Sequence, residues 1–137
     1  MPTPIDLVKD VSALLEQGNI CYVDKLARKI TSFLVSELKT PEITEQIALF
    51  EKKSNKYIKI AQMPTQKLLF VMEDFLEVVT DQDIAKELRS GLKRKNPTRN
   101  FIQVLENRPD INHHWKLFKK EKMEDYVGQV FIDDYNY

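Results

Sequence analysis

Five cations surround one predicted turn between two helices; they are Arg89, Lys93, Arg94, Lys95 and Arg99. The second helix would direct its unpaired N–H groups and the positive end of its dipole toward the same turn. Phosphate and other anions bind to such an arrangement. The cluster therefore predicts a site for nucleic acid or another polyanion at residues 89–99. The same residues also fit an ordinary solvated basic face.

Two helices joined by a short basic turn also suggest a helix-turn-helix, in which the second helix enters the major groove of DNA. The glycine that is usual in that turn is missing from this chain. The second helix bears Asn100, Gln103 and Asn107 but few basic side chains. Both departures weaken the helix-turn-helix interpretation.

The two histidines of the chain, His113 and His114, are adjacent and close to Asp110. Consecutive helical residues point about 100° apart, so the two imidazoles cannot easily converge on one ion. Asp110 and His113 could share a helix face, but they supply only two ligands. We therefore expect no metal site here.

No cluster of catalytic type stands out in the sequence; an enzyme would need carboxylates to converge with His113 in a cleft. Cys21 has no catalytic signature around it and is expected to be an inert small hydrophobe. Glu73, Asp74 and Glu77 could form an acidic face for a cation, but a solvated helix side is the simpler interpretation. The three glycines are isolated, which excludes a phosphate-binding loop. The sequence therefore predicts a non-enzymatic protein without a cofactor.

The length of 137 residues fits a single domain spanning residues 1–137. A lone cysteine rules out an internal disulfide, and no apolar run approaches the ~18 residues of a membrane span. The N-terminus has no secretory signal, so we expect a cytoplasmic protein. Net charge is zero, yet residues 86–122 carry 11 basic and 4 acidic groups. Positive charge is therefore concentrated around the predicted turn.

The elements that must position these residues are predicted to be mostly helical. A threonine followed by proline, at Thr3 and again at Thr40, provides an N-cap and a first-turn proline. Later helices are predicted from Pro64, from Thr80 as an N-cap, and from Asn96 as the N-cap of a helix at Pro97. The last helix is predicted to begin at Asp110 or Asn112 and to fray over residues 135–137.

The segment from Cys21 to Val35 fits two structures. Its apolar residues match a helical stripe, and periodicity alone favours that helix. The same residues fit strands Ile20–Val23 and Ile30–Val35 joined by a charged turn at Asp24–Lys29. Tyr57–Ile60 is short and alternating, which predicts a further strand.

With these residues in order, the chain resembles a widespread bacterial uncharacterised protein family, of the UPF 0158 type. The resemblance runs from the first helix to near Asp133 and rests on the order and spacing of short motifs. The matching positions are Tyr22-Val23-Asp24, Ile30, Ile58 to Ile60, Met72 to Phe75, Arg99 to Phe101 and Trp115 to Phe118. The resemblance implies a hairpin in the ambiguous segment, although Ala27-Arg28-Lys29 replaces a Thr-Gly-Glu-like turn. It implies no reaction, since the family has no known activity.

We therefore expect an α+β fold, in which a small antiparallel sheet of about three strands packs against a mostly helical C-terminal half. The leading functional hypothesis is a non-enzymatic cytoplasmic interaction or regulatory module with an unknown protein partner and no membrane contact. Binding of nucleic acid or another polyanion through residues 89–99 is the alternative, and self-association through an open sheet edge is compatible with both. The predicted helical core consists of Met72, Phe75, Leu88, Phe101, Trp115 and Phe118.

Overall fold

The computed structural model describes residues 3–135, in which the chain forms six α-helices, three β-strands and one short 3-10 helix. Asn136 and Tyr137, where fraying is predicted, lie outside the described residues. The elements are α1 (Pro4–Glu16), β1 (Asn19–Asp24), β2 (Ile30–Leu34), the 3-10 helix (Val35–Glu37), α2 (Pro41–Lys52), β3 (Tyr57–Ile60), α3 (Thr65–Leu76), α4 (Gln82–Leu92), α5 (Pro97–Glu106) and α6 (Pro109–Tyr135).

The predicted α+β class is confirmed, with a three-stranded antiparallel sheet and a mostly helical C-terminal half. The chain divides into two compact units. The sheet unit contains residues up to Gln62 together with those from Met123 onward, and the helical unit contains Met63–Lys122. That residues 1–137 form a single domain stays a prediction.

The segment with two interpretations is a hairpin, and the helical interpretation is wrong. β1 lies in the middle of the sheet and pairs antiparallel with β2 and with β3. The turn between β1 and β2 is held by Asp24, whose Oδ1 accepts hydrogen bonds from the N–H groups of Leu26 and Ala27, each at 2.9 Å. Arg28 adopts the left-handed conformation, with φ of 56°, which glycine adopts most readily. Val35, predicted to end β2, instead opens the 3-10 helix.

Both faces of the sheet are covered by apolar side chains. On one face Ile20, Tyr22 and Phe33 form a cluster with half-buried residues of α2, and Tyr22 stacks on Phe50 with ring centroids 4.9 Å apart. The other face contains Cys21, Val23, Ile58 and Ile60, all essentially inaccessible to water. A sheet this small is stable only when its faces are buried in this way.

A cluster of aromatic side chains forms the core of the helical unit. Trp115 of α6 makes edge-on contacts with Phe101 and Phe75, with ring centroids 4.9 and 5.3 Å apart. Five of the six predicted core residues are buried; they are Met72, Phe75, Leu88, Phe101 and Trp115. Phe118 contacts the cluster but is only half-buried. These aromatic positions therefore specify the fold of the helical unit, as predicted.

Two predicted helix starts and one predicted cap are corrected by the structure; α2 begins at Pro41 after Thr40, as predicted. Asp81, not Thr80, caps α4, because its carboxylate accepts from the N–H groups of Asp83 and Ile84 at 3.1 and 3.2 Å. The Thr40 hydroxyl makes no cap and instead donates to the carbonyl of Glu37 in the preceding 3-10 helix, at 2.9 Å.

The third correction concerns α6, which begins at Pro109 rather than at Asp110 or Asn112. Proline fits the first helical position because the N–H it lacks has no intrahelical partner there. α6 is 27 residues long and rich in charged residues. Within residues 3–135, no helix combines the length and the apolar composition needed to cross a bilayer.

Candidate functional site

The basic turn, defined as residues 89–99, joins the end of α4 to the first turn of α5. The structure places all five predicted site residues in water; they are Arg89, Lys93, Arg94, Lys95 and Arg99. None of their side chains forms an ion pair or a hydrogen bond with any residue from 3 to 135. The basic turn therefore presents cations that are not held in ion pairs by the described part of the chain.

Asn96 allows the chain to turn without a glycine. Its backbone has φ of 59° and ψ of 58°, the left-handed conformation that asparagine adopts more readily than most other residues. The predicted N-cap hydrogen bond from its side chain is absent, since the Asn96 side chain caps nothing in α5. A helix-turn-helix usually has glycine in its turn, and Asn96 takes the left-handed conformation here that a glycine would otherwise adopt.

Asn100 fastens the basic turn from inside. Its side-chain amide donates one hydrogen bond to the carbonyl of Gly91 at 3.0 Å and another to the carbonyl of Lys95 at 2.8 Å. Gly91 lies in the last turn of α4, where its carbonyl also accepts a 3.3 Å hydrogen bond from the N–H of Arg94, and Lys95 lies beyond the end of the helix. One side chain therefore fixes the last turn of α4 and the middle of the basic turn to the start of α5.

Gly91 makes this contact sterically feasible. It is buried, and a Cβ atom at this position would lie 3.1 Å from the Cβ of Asn100. Any larger residue would have to displace Asn100 or the start of α5. Gly91 and Asn100 thus act together, with one providing the space and the other the hydrogen bonds.

The N-terminus of α5 faces the same region and has backbone donors without intrahelical partners. Pro97 occupies its first position, and the first intrahelical bond runs from the N–H of Asn100 to the carbonyl of Asn96 at 3.0 Å. The N–H groups of Thr98 and Arg99 lie before Asn100 in the helix and therefore have no intrahelical acceptor. A shallow depression of about 510 Å³ is lined by Thr65 and by residues 96–99. It is open enough to admit a phosphate group, and the backbone donors at its edge are those that an anion would use.

The inward position of Asn100 changes the interpretation of α5. Of the three polar residues named for the second helix, Asn100 is engaged in the basic turn, while Gln103 and Asn107 are exposed. Only two of those three side chains are available outside the basic turn. The arrangement is therefore better suited to contacts with phosphate groups than to base recognition.

Sequence reasoning missed the roles of Asn100 and Gly91. A signal was present, because Asn100 is the middle residue of the Arg99-Asn100-Phe101 motif used to recognise the family resemblance. What the motif could not show was the direction of the side chain. That direction depends on the close approach of α4 and α5 at Gly91.

The other residues considered for chemistry are not brought together. Cys21 is fully buried in β1, and desolvation raises the pKa of its thiol to about 11, so little thiolate forms at neutral pH. His113 and His114 are exposed, with ring centroids 6.2 Å apart. Among residues 3–135, no group of three His, Cys, Asp or Glu side chains could hold a metal ion.

The acidic set considered as a cation face lies on or next to α3 and is solvated. Glu73, Asp74 and Glu77 are all exposed. Their side chains make no ion pair within the described part of the chain. They therefore fit the simpler interpretation of a hydrated helix side.

Comparison with known proteins identifies one family. A family model described as "Uncharacterised protein family (UPF0158)" matches residues 4–132. The chain is 25% identical over 126 residues to "UPF0158 protein PA5073" of Pseudomonas aeruginosa, and the match covers 92% of this chain and 80% of that relative. No solved structure matches the chain. Neither name states an activity or a ligand, so the chemistry must come from the residues themselves.

Proposed function

The chain belongs to the Uncharacterised protein family (UPF0158), and we propose that it is a binding module whose basic turn holds the phosphate backbone of a nucleic acid. The proposal includes a non-enzymatic role in the cytoplasm, where such partners are present. Among interaction modules, this class of partner suits the charge and geometry of the basic turn best.

One observation carries the proposal, which is that five exposed cations surround a fixed turn without any ion pair in residues 3–135. Charged side chains that only keep a surface hydrated do not require a backbone of fixed conformation. Here the backbone is fastened by Asn100, and Gly91 accommodates it. A fixed turn loses less conformational entropy when it binds, which favours affinity.

The mode of binding follows from the kinds of donor present. Lys and Arg neutralise phosphates and release their counterions, so affinity should fall steeply as salt rises. The free N–H groups at the start of α5 can add hydrogen bonds to one phosphate. Because Asn100 points inward, we expect weak sequence preference.

The test measures binding of the full chain to short single-stranded DNA, duplex DNA and RNA of equal length across a series of salt concentrations. We expect log K to fall linearly with log salt. Replacing Lys93, Arg94 and Lys95 by alanine should weaken binding to every sequence. The same change should reduce the salt slope by about 3, because each of the three cations neutralises one phosphate.

A charge-matched control distinguishes a site from a general attraction. Lys39, Lys52 and Lys53 are also exposed and lie in the sheet unit. Replacing these three by alanine changes net charge by the same amount and should leave the salt slope nearly unchanged. Equal losses of affinity for the two triple variants, or no binding of the unmodified chain at low salt, would refute the proposal.

A further inference from the structure

A groove of about 730 Å³ lies in the helical unit and is unrelated to the basic turn. It is lined by buried Phe75 and half-buried Phe118, and also by Val78 and Leu117, whose residues are 58% and 55% exposed. Two large apolar side chains thus remain in water beside an aromatic surface. Apolar side chains grouped around a concave surface are typical of a binding site rather than of scattered exposed residues.

The length of the groove limits what can occupy it. Its lining on α6 extends from Asp110 to Glu121. At 1.5 Å per residue this span is about 17 Å, which equals about three turns of a second helix laid alongside. Grooves of this kind commonly accept an amphipathic helix, whose apolar residues recur every three or four positions.

The charges of the groove-lining residues determine whether a positively or a negatively charged partner is favoured. At one end, Arg108 contacts the carboxylates of Asp81 and Asp110, at 3.2 and 3.4 Å, so one negative charge of the three groups remains. The Arg108 guanidinium holds the pKa of Asp110 below its ordinary value, and Asp110 is therefore ionised at neutral pH. At the other end, Glu121 has no ion pair within residues 3–135.

Glu121 lies between Lys120 and Lys122 in the chain, and the amine of Lys122 is held against an aromatic ring. Its Nζ lies 5.4 Å from the centroid of the Phe118 ring, a cation–π distance. Lys122 does not line the groove, so it reduces the negative field near Glu121 without pairing with the carboxylate. Lys120 does not line the groove either, so the lining itself carries a negative charge near each of its ends.

We propose that this groove binds an amphipathic helix of a partner protein, with an apolar stripe against Phe118 between Val78 and Leu117 and a Lys or Arg near each end. One of these cations pairs with the carboxylates at Asp81 and Asp110, and the other pairs with Glu121. The two cations lie about three helical turns apart on the partner. A nucleic acid is disfavoured here, because its phosphates would meet the carboxylates of the lining.

The experiment selects binders from a displayed library of helix-forming peptides, with the full chain as the target. We expect the enriched peptides to share an apolar stripe flanked by basic residues. Their affinity should fall about tenfold on Leu117→Asp, because an exposed apolar anchor is replaced by a charge that cannot enter the apolar stripe. Leu117 is exposed, so this variant should unfold at the same temperature as the unmodified chain.

A charge exchange tests the predicted orientation. Glu121→Lys should weaken the enriched peptides, and replacing the basic residue at one peptide end by glutamate should restore binding to that variant alone. The alanine variant of Lys93, Arg94 and Lys95 should bind the peptides normally, so this inference and the proposed function fail separately. Binding that ignores Leu117 and Glu121, enrichment of acidic peptides, or no enrichment would overturn the proposal. Self-association that is lost on Leu117→Asp would also overturn it, since the occupant would then be a second copy of the chain.

Discussion

The hairpin turn after β1 and the basic turn after α4 are stabilised in similar ways, but by side chains of different charge. Each has a non-glycine residue in the left-handed conformation, Arg28 in one and Asn96 in the other. Each is fastened by one side chain that bonds to two backbone groups. The hairpin turn uses the carboxylate of Asp24, and the basic turn uses the neutral amide of Asn100.

The charge of the fastening residue affects what the turn can bind. Asp24 brings a negative charge, and Lys56 lies 3.8 Å from its carboxylate, so part of the local charge is balanced within the turn region. Asn100 brings no charge, so it neutralises none of the cations around it. Because the Asn100 amide is uncharged, it can fix the conformation of the basic turn without reducing the positive charge that attracts phosphate.

The largest effect should come from Asn100→Leu, which removes both donors while keeping a side chain of similar size. The Lys95 carbonyl would lose the bond from Asn100, and the Gly91 carbonyl would keep the 3.3 Å bond from the N–H of Arg94. We expect the free energy of unfolding to fall by about 2–3 kcal/mol. Polyanion affinity should fall too, although all five cations remain. Chemical denaturation and salt-dependent binding measure the two effects.

Gln103→Leu is the matched control for this change, since Gln103 is exposed on the same helix. It should alter neither stability nor binding appreciably. If Asn100→Leu lowered stability but left affinity and salt slope intact, Asn100 would be a purely structural residue. The contrast between the two turns would then have no bearing on binding.

A smaller effect is expected from Asp24→Ala, the corresponding change in the hairpin turn. It removes two hydrogen bonds to backbone N–H groups at an exposed site, which should cost about 1–2 kcal/mol, as the loss of a helix cap does. Binding to nucleic acid should be unchanged, because the hairpin turn is not part of the proposed site. Weaker binding in this variant would contradict the separation of the two turns.

The smallest effect should be the pH dependence of the hairpin turn. The backbone hydrogen bond from Ala27 is the main reason that the pKa of Asp24 lies below its ordinary value. A lowered pKa means that the stabilisation is complete above the unfolded value of about 3.9 and is lost as pH falls through the folded value. The stability difference between the unmodified chain and Asp24→Asn should therefore shrink below about pH 4.

This pH effect is measured as a difference so that the other carboxylates cancel. Asn100 does not titrate, and the corresponding difference for Asn100→Leu should stay constant over the same range. A pH-independent difference for Asp24→Asn would show that the carboxylate contributes through shape and not through charge.

The core of the helical unit could largely be predicted, because its aromatic residues recur at helical spacing and pack against one another. Phe75, Phe101 and Trp115 needed no information beyond periodicity. Phe118 lies at the edge of that core, and periodicity cannot distinguish a buried position from one lining a groove. Residue spacing determines which side of a helix faces inward, but not how far the neighbouring helix extends.

The hairpin and the helix starts show where local sequence is insufficient. Leu26 completes a helical stripe in the sequence, yet it is 82% exposed at the tip of the turn. Only the family resemblance favoured the hairpin. Thr80 and Asp81 are both suitable caps, and Asp81 also pairs with Arg108, 27 residues away. Asn100 acquires its role only when α5 approaches Gly91, so its function depends on tertiary structure.

Because Cys21 is buried, modification of its thiol can be used to measure opening of the sheet unit. The thiol is inaccessible in the middle strand of the sheet, and its reactive thiolate is scarce because the pKa is about 11. A thiol reagent can reach it only when β1 opens, so the modification rate at low reagent concentration measures the fraction of molecules in which the sheet unit is open. Since Cys21 is the only cysteine, this signal would report on one strand with no contribution from elsewhere.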